Sequence, residues 1–187
     1  MLRMKSKHLF IAIFGLIVVS GCGKSGPLEL TETHNITGFN FSIDYPEGWI
    51  AATEGPLTWI AETQIDFDQR HNRNHELVRI GMSLEHRPLS FLKELGLPSD
   101  SPTLDDLFSL NINEKTGMTN PNITETTIFG VPALRSEYYE EDHWEISYAG
   151  FVNNEAFFFI VSAPTEEMLN DFKPTFELMI ASITPID

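Results

Sequence analysis

Apolar and polar positions alternate along much of this chain, and the places where the period changes outline its elements. Phe39, Phe41 and Ile43 alternate with Asn40, Ser42 and Asp44, which predicts a strand with one buried face. Tyr45-Pro46-Glu47-Gly48-Trp49 predicts a turn, after which residues 50–53 and 59–67 continue as strands across the Gly55-Pro56 break. Residues 77–84 predict another strand, with Leu77 and Arg79 on one face and Val78, Ile80 and Met82 on the other. The period then lengthens. Pro88 at a first helical position, with Leu89, Leu92 and Leu95 behind it and Gly96 as a stop, predicts a short helix. Ser101-Pro102-Thr103 opens a second, in which Leu104, Leu107, Phe108 and Ile112 form one stripe before Gly117, and Asp105 and Asp106 suit the positive end of the helix dipole.

From Ile123 the strand pattern returns, broken at Phe129-Gly130-Val131-Pro132 and resumed over residues 133–140. Residues 143–152 and 156–163 flank Asn153-Asn154, two residues that tolerate positive φ and so predict a tight hairpin turn. Phe157 to Val161 is apolar at every position, which places that strand in the middle of a sheet covered on both faces. Met168, Leu169, Phe172, Phe176, Met179, Ile180 and Ile183 recur at helical spacing, predicting an amphipathic terminal helix that Pro174 kinks or restarts. Strands joined by tight turns run antiparallel, so the expected class is α+β: a mainly antiparallel β-sheet sandwiched between helices, in one domain over residues 28–187.

The N-terminus follows another logic. Arg3, Lys5 and Lys7 precede an unbroken apolar run over residues 9–19, too short for a membrane-spanning helix but of secretory-signal length. It leads to Val19-Ser20-Gly21-Cys22, which resembles a bacterial lipobox, whose cysteine carries diacylglycerol. The expectation is a signal peptide over residues 1–21, lipidation at Cys22, and a tether over residues 22–27. Cys22 is the only cysteine, so no thiol remains for a disulfide and stability must come from packing. Loss of the leader, with three basic residues and no acidic one, takes the formal charge from −15 to −18. That balance argues against nucleic acid and against anionic lipid headgroups, leaving the lipid as the expected attachment to the membrane. Gly23 provides no aspartate-type retention signal at the inner membrane, so the expected location is the extracytoplasmic face of the bacterial envelope, at the outer membrane in a Gram-negative host.

Two segments are dense in potential ligands. Asp66, Asp68, His71, His75 and Glu76 lie within eleven residues and offer nitrogen and oxygen donors for zinc or manganese. They lack the glutamate of a His-Glu-x-x-His site, and Gln69 to Asn74 is rich in turn formers, so a solvated loop between strands is the expectation there, with Asp66, Asp68, His71 and His75 as weak metal candidates. Glu137, Glu140, Glu141, Asp142, His143 and Glu145 form the second concentration, expected to be a charged hairpin tip that discourages edge pairing rather than a calcium site. Gly21-Cys22-Gly23-Lys24-Ser25-Gly26 spells a dinucleotide fingerprint, but Pro27 follows where a helix should start. Ser83 lacks the second glycine of a nucleophile elbow. No catalytic residue and no cofactor is expected. Of the tryptophans, Trp49 and Trp144 are expected to pack in the core, with Trp59 less committed.

Gly38-Phe39-Asn40-Phe41-Ser42-Ile43-Asp44-Tyr45-Pro46-Glu47-Gly48-Trp49, then Leu95-Gly96-Leu97-Pro98, then Ser162-Ala163-Pro164 with residues 172–183, resemble in order and spacing the PsbP family and its bacterial lipoprotein relatives. The resemblance spans nearly all of the mature chain. It implies a PsbP-like α/β/α sandwich and a non-enzymatic accessory or assembly role; plant and cyanobacterial members assist photosystem II. Residues 66–76 stand out from that pattern as an insertion, and the lipoprotein branch fits better than the photosynthetic one. The leading expectation is therefore a lipid-anchored interaction or assembly module with an envelope protein partner. The alternative is a lipoprotein that binds a metal ion or small ligand through residues 66–76, and a hydrolase ranks below both.

Overall fold

A computed structural model describes residues 26–36, 40–72, 75–97, 101–114, 119–140 and 142–186. The leader, Cys22, Phe39, Pro98 and Glu141 lie outside the described residues, as does the side chain of Ile112.

The strands form two antiparallel sheets. β1 (Leu30–Ile36), β2 (Phe41–Pro46) and β10 (Thr184–Pro185) make the smaller, in the order β1-β2-β10. The larger has seven strands: β3 (Ile50–Glu54), β4 (Leu57–Ala61), β5 (Gly81–Pro88), β6 (Thr119–Ile128), β7 (Val131–Glu140), β8 (His143–Val152) and β9 (Glu155–Ala163), in the order β3-β4-β5-β9-β8-β7-β6. Between them lie α1 (Gln64–Gln69), α2 (Leu89–Glu94), α3 (Leu104–Glu114) and α4 (Glu166–Ser182). The architecture is the expected α+β sandwich.

β9 is the central strand of the seven, and the register explains its unbroken apolar run. Phe157, Phe159 and Val161 face α4 and join Met82, Ile146, Phe172, Phe176 and Met179 in the main core. Phe158 faces the other way and packs with Ala149, Ala156, Leu92, Leu97 and Leu107 beneath α2 and α3. The unbroken run on β9 matches a strand covered on both faces, whereas its neighbours β5 and β8 alternate, with Met82, Leu84, Ile146 and Tyr148 on the α4 face. Asn153 and Asn154 both adopt positive φ (51° and 65°) in the β8–β9 turn, as their type predicts. α4 starts where Thr165 Oγ1 accepts from Met168 N at 3.2 Å, with Glu166 and Glu167 in the first turn, and runs through Pro174 as one helix rather than restarting there.

Two strand expectations on the left half of the sheet, and the role expected of the charged tip, are corrected. The strand expected over 59–67 ends at Ala61, because Thr63 caps α1 by accepting from Asp66 N at 3.1 Å. The strand expected over 77–84 begins only at Gly81 and extends to Pro88, the N-cap of α2 rather than its first residue. β1 carries no apolar alternation: only Ile36 is buried, and the strand is held by its ladder with β2. The charged tip at 140–143 joins β7 to β8, both internal strands, so it guards no edge; the sheet edges are β3 and β6.

Candidate functional site

The sheet face turned toward α2 and α3 is covered at only one end. Paired residues of an antiparallel ladder share a face, and here Gly81 pairs with Ser162, Ser162 with Glu145, and Glu145 with Tyr138. One step along, Trp59 pairs with Ser83 and Ser83 with Ile160. The result is a polar field on a face that is apolar beneath the helices. Gly81 is required there: a Cβ at that position would lie 2.9 Å from Trp59 Cζ2.

Over this field lies a cavity of about 210 Å³, lined by Trp59, His75, Ser83, His143, Glu145 and Ser162 among others. The two ligand-rich segments, far apart in sequence, therefore meet at one cavity. Of the weak metal candidates Asp66, Asp68, His71 and His75, only Asp66 and His75 are brought together. Asp66 is fully buried and spends both oxygens internally: Thr63 Oγ1 donates at 2.8 Å, Val78 N at 2.9 Å, His75 Nε2 at 3.0 Å and Arg79 N at 3.1 Å. Burial pushes its carboxyl up, but those bonds outweigh it and hold it below the usual carboxylate range. Segment 66–76 is thus not a solvated loop at its start; Asp66 ties the approach to β5 onto the head of α1. Asp68 is exposed and accepts from Gln64 Nε2 at 2.6 Å. His71, largely exposed, pairs with Glu54 Oε2 at 2.8 Å, and Arg70 pairs with the same carboxylate. Glu54 lowers into an ordinary ion-pair role through Arg70 first and His71 second. Composition alone could not place Glu54 here, since it comes from β3.

The opposite wall is a chain of coupled groups. Tyr138 Oη donates to Glu145 Oε2 at 2.5 Å, and His143 Nε2 lies 2.8 Å from Glu145 Oε1 while its Nδ1 lies 3.1 Å from Asp142 Oδ1. Glu145 outweighs the opposing effect of burial and, with Asp142, raises His143 to about 9. Burial and the Glu145 charge raise Tyr138 as well. At neutral pH His143 is a cation between two carboxylates. Glu140, His143 and Glu145 each bring one ligand atom within 4.8 Å of the others, but a metal there would have to displace the proton that Glu145 stabilises. Trp59 Nε1 is buried without a hydrogen-bond partner among the described residues. Trp49 stacks on Phe172 with centroids 4.9 Å apart and Trp144 tilts against Tyr139 at 5.4 Å, both half-buried on the main core.

No family model matches the sequence, and comparison with curated proteins returns no match. Solved structures do match the architecture. Cyanobacterial PsbP from Synechocystis sp. PCC 6803 superposes with a TM-score of 0.50 at 17% identity, over 89% of this chain and 98% of that one. The Ran-binding protein Mog1p of Saccharomyces cerevisiae superposes with a TM-score of 0.54 at 8% identity, over 85% of this chain and 97% of that one. This is the PsbP and Mog1p fold. In the PsbP-like sandwich the expected α/β/α layering is present, with α4 on one side of the large sheet and α2 and α3 on the other. Among the described residues, no helix is long and apolar enough to cross a membrane.

Proposed function

We propose that this protein is a non-catalytic interaction or assembly module of the bacterial envelope, lipid-anchored at Cys22 and facing the extracytoplasmic side. The observation that carries the reading is the fold, shared over nearly the whole length of PsbP and of Mog1p, the latter a Ran-binding protein. The state of the polar groups supports it: Asp66, Glu54 and Glu145 are each engaged by two or more partners within the chain. Lipobox-like Val19-Ser20-Gly21-Cys22 supports the anchor, and two acyl chains or more suffice for stable attachment. Capture of the intact protein from detergent-solubilised envelopes tests the module, with a stoichiometric envelope protein expected beside it; the bare protein alone would refute it. Cys22→Ala tests the anchor: the variant should lose detergent partitioning, and normal processing with unchanged membrane retention would refute it.

The cavity between His75 and Glu145 favours a second reading, a lipoprotein that binds a metal ion or small ligand. Ligands that bind only the native state raise its melting temperature with concentration. Zinc, manganese and calcium are expected to leave the melting temperature flat. A saturable rise that disappears in His75→Ala/His143→Gln would make this reading the primary one.

A further inference from the structure

The chain enters the fold at a fixed point. Leu28 N donates to Thr175 Oγ1 at 2.8 Å, and Thr175, on α4, is 1% exposed. Leu28 stands only six positions after Cys22, and at about 3.3–3.6 Å per residue even a fully extended chain spans roughly 20 Å. Whatever holds Cys22 therefore holds this end of the domain close to it.

That end is also where apolar side chains are most exposed. Ile65 and Val78 are 57% and 52% exposed, more than any other large apolar side chain described, and Leu28 is 43% exposed. The segments that carry the first two are joined, because Asp66, next to Ile65, accepts from Val78 N at 2.9 Å. Leu28 lines one opening of about 240 Å³ with Trp49, Glu62 and Arg79, so the segment leading into α1 and the residue after Val78 border the point where the chain enters the fold. Arg79 is paired with Glu62 at 3.0 Å, so among the described residues no free basic cluster marks this end for anionic lipid. Phe91 on α2 and Leu95 at its C-cap, also exposed, lie at the far end of β5, while Leu178, Ile123 and Ile186 are exposed singly elsewhere. β5 starts at Gly81 beside the opening and delivers α2 eight residues later, about 25 Å away at strand rise.

Resting on the lipid-anchored reading of Cys22, we propose that Leu28, Ile65 and Val78 dock the domain on the neutral lipid surface that holds its anchor. The α2 end then stands about 25 Å further from the bilayer. A tether this short confines the domain to the surface, where half-exposed apolar side chains gain by entering the headgroup boundary.

Full-length protein, processed from its leader and reconstituted into phosphatidylcholine vesicles, tests this. Cys22 is the only native cysteine, so its acylation leaves Ile65→Cys, Val78→Cys and Phe91→Cys as single labelling sites, each already well exposed. A fluorophore at 65 or 78 should be quenched by a nitroxide carried in the lipid headgroup region at least threefold more than one at 91. Equal quenching at the three sites, or stronger quenching at 91, overturns the inference. The mass of the N-terminal peptide separates the two layers: an unacylated Cys22 refutes the anchor and this inference with it, whereas an acylated Cys22 with equal quenching refutes this inference alone.

Discussion

Replacing Asp66 with alanine should unfold this protein under conditions where most single substitutions would not. The carboxylate accepts four hydrogen bonds between 2.8 and 3.1 Å, from Thr63, Val78, His75 and Arg79. Bonds to an ionised group contribute about 1.5–3 kcal/mol each, but the sum overshoots, because burying the carboxylate itself costs several kcal/mol. Truncation returns that cost and leaves the two backbone N–H groups of 78 and 79 and the His75 imidazole short of a partner. With water reaching part of the site, the net loss is about 3–5 kcal/mol. For a domain of this size that lowers the melting temperature by roughly 6–20 °C. His75→Ala, which removes one of the four donors, should cost only about 1–2 kcal/mol.

Urea unfolding of the soluble domain from residue 23, followed by tryptophan fluorescence, measures both. The sign also separates two roles for Asp66. A carboxylate waiting for a cation would be crowded by its neighbours in the apo state, and its removal would leave stability unchanged or raised. A loss below about 1 kcal/mol in Asp66→Ala would therefore refute the structural assignment. Because the folded carboxyl is held below its ordinary value, its contribution is full above the unfolded value near 3.9 and is lost as pH falls through the folded one. Asp66→Asn should therefore remove part of the acid sensitivity of the parent below about pH 4.

Other substitutions probe the rest of the frame. His143, raised to about 9 by Glu145, contributes stability that is full below about pH 6.5 and is lost as pH rises through about 9; His143→Gln should flatten that alkaline decline, and parallel curves for variant and parent would refute the pairing. Gly150→Ala should cost about 2–4 kcal/mol, because its Cβ would lie 2.5 Å from the Phe157 ring and 3.0 Å from the Pro132 carbonyl in the middle of the sheet; an unchanged urea midpoint would mean that β8 yields freely. Trp49→Ala should cost about 2–3 kcal/mol, less than for an enclosed ring, since the indole is stacked on Phe172 but half-exposed; no change would move Trp49 from the core to a binding surface.

The right half of the sheet was legible because its sequence and its environment agree. Phe157 to Val161 is apolar at each position, and β9 is covered on both faces; Asn153-Asn154 is a positive-φ pair, and the turn uses it. The left half misleads where polar chemistry overrides periodicity. Thr63 and Asp66 stand at the spacing of a helix cap, and that signal, which period-two counting ignored, ends β4 and starts α1. Asp66 then holds residues 78 and 79 by their amides, so the alternation at 77–80 belongs to an anchored approach and not to the strand. β1 was invisible because a strand with a single buried side chain, Ile36, has no apolar period to detect. The cavity was invisible for a different reason: His75 and Glu145 are brought together by the β4-β5-β9-β8 order, which no local pattern encodes.

With its single cysteine in the lipobox-like motif, this chain has no disulfide available to fix its irregular segments. Three carboxylates, buried Asp66 and Glu145 and exposed Glu54, occupy the positions such a cross-link would serve. Asp66 fixes the approach to β5 to α1, Glu54 gathers Arg70 and His71 beyond the end of that helix, and Glu145 locks Tyr138 and His143 across the β7–β8 ladder. Each of these groups would draw attention in sequence as a ligand or an acid, and each is satisfied from within. Exposed apolar side chains flank both ends of β5, Ile65 and Val78 near the tether and Phe91 and Leu95 at α2 and its C-cap, with Leu178, Ile123 and Ile186 exposed elsewhere. On the proposed reading, a fold whose carboxylates are engaged from within acts through those surfaces, and their separation along β5 leaves room for the lipid and a protein partner together.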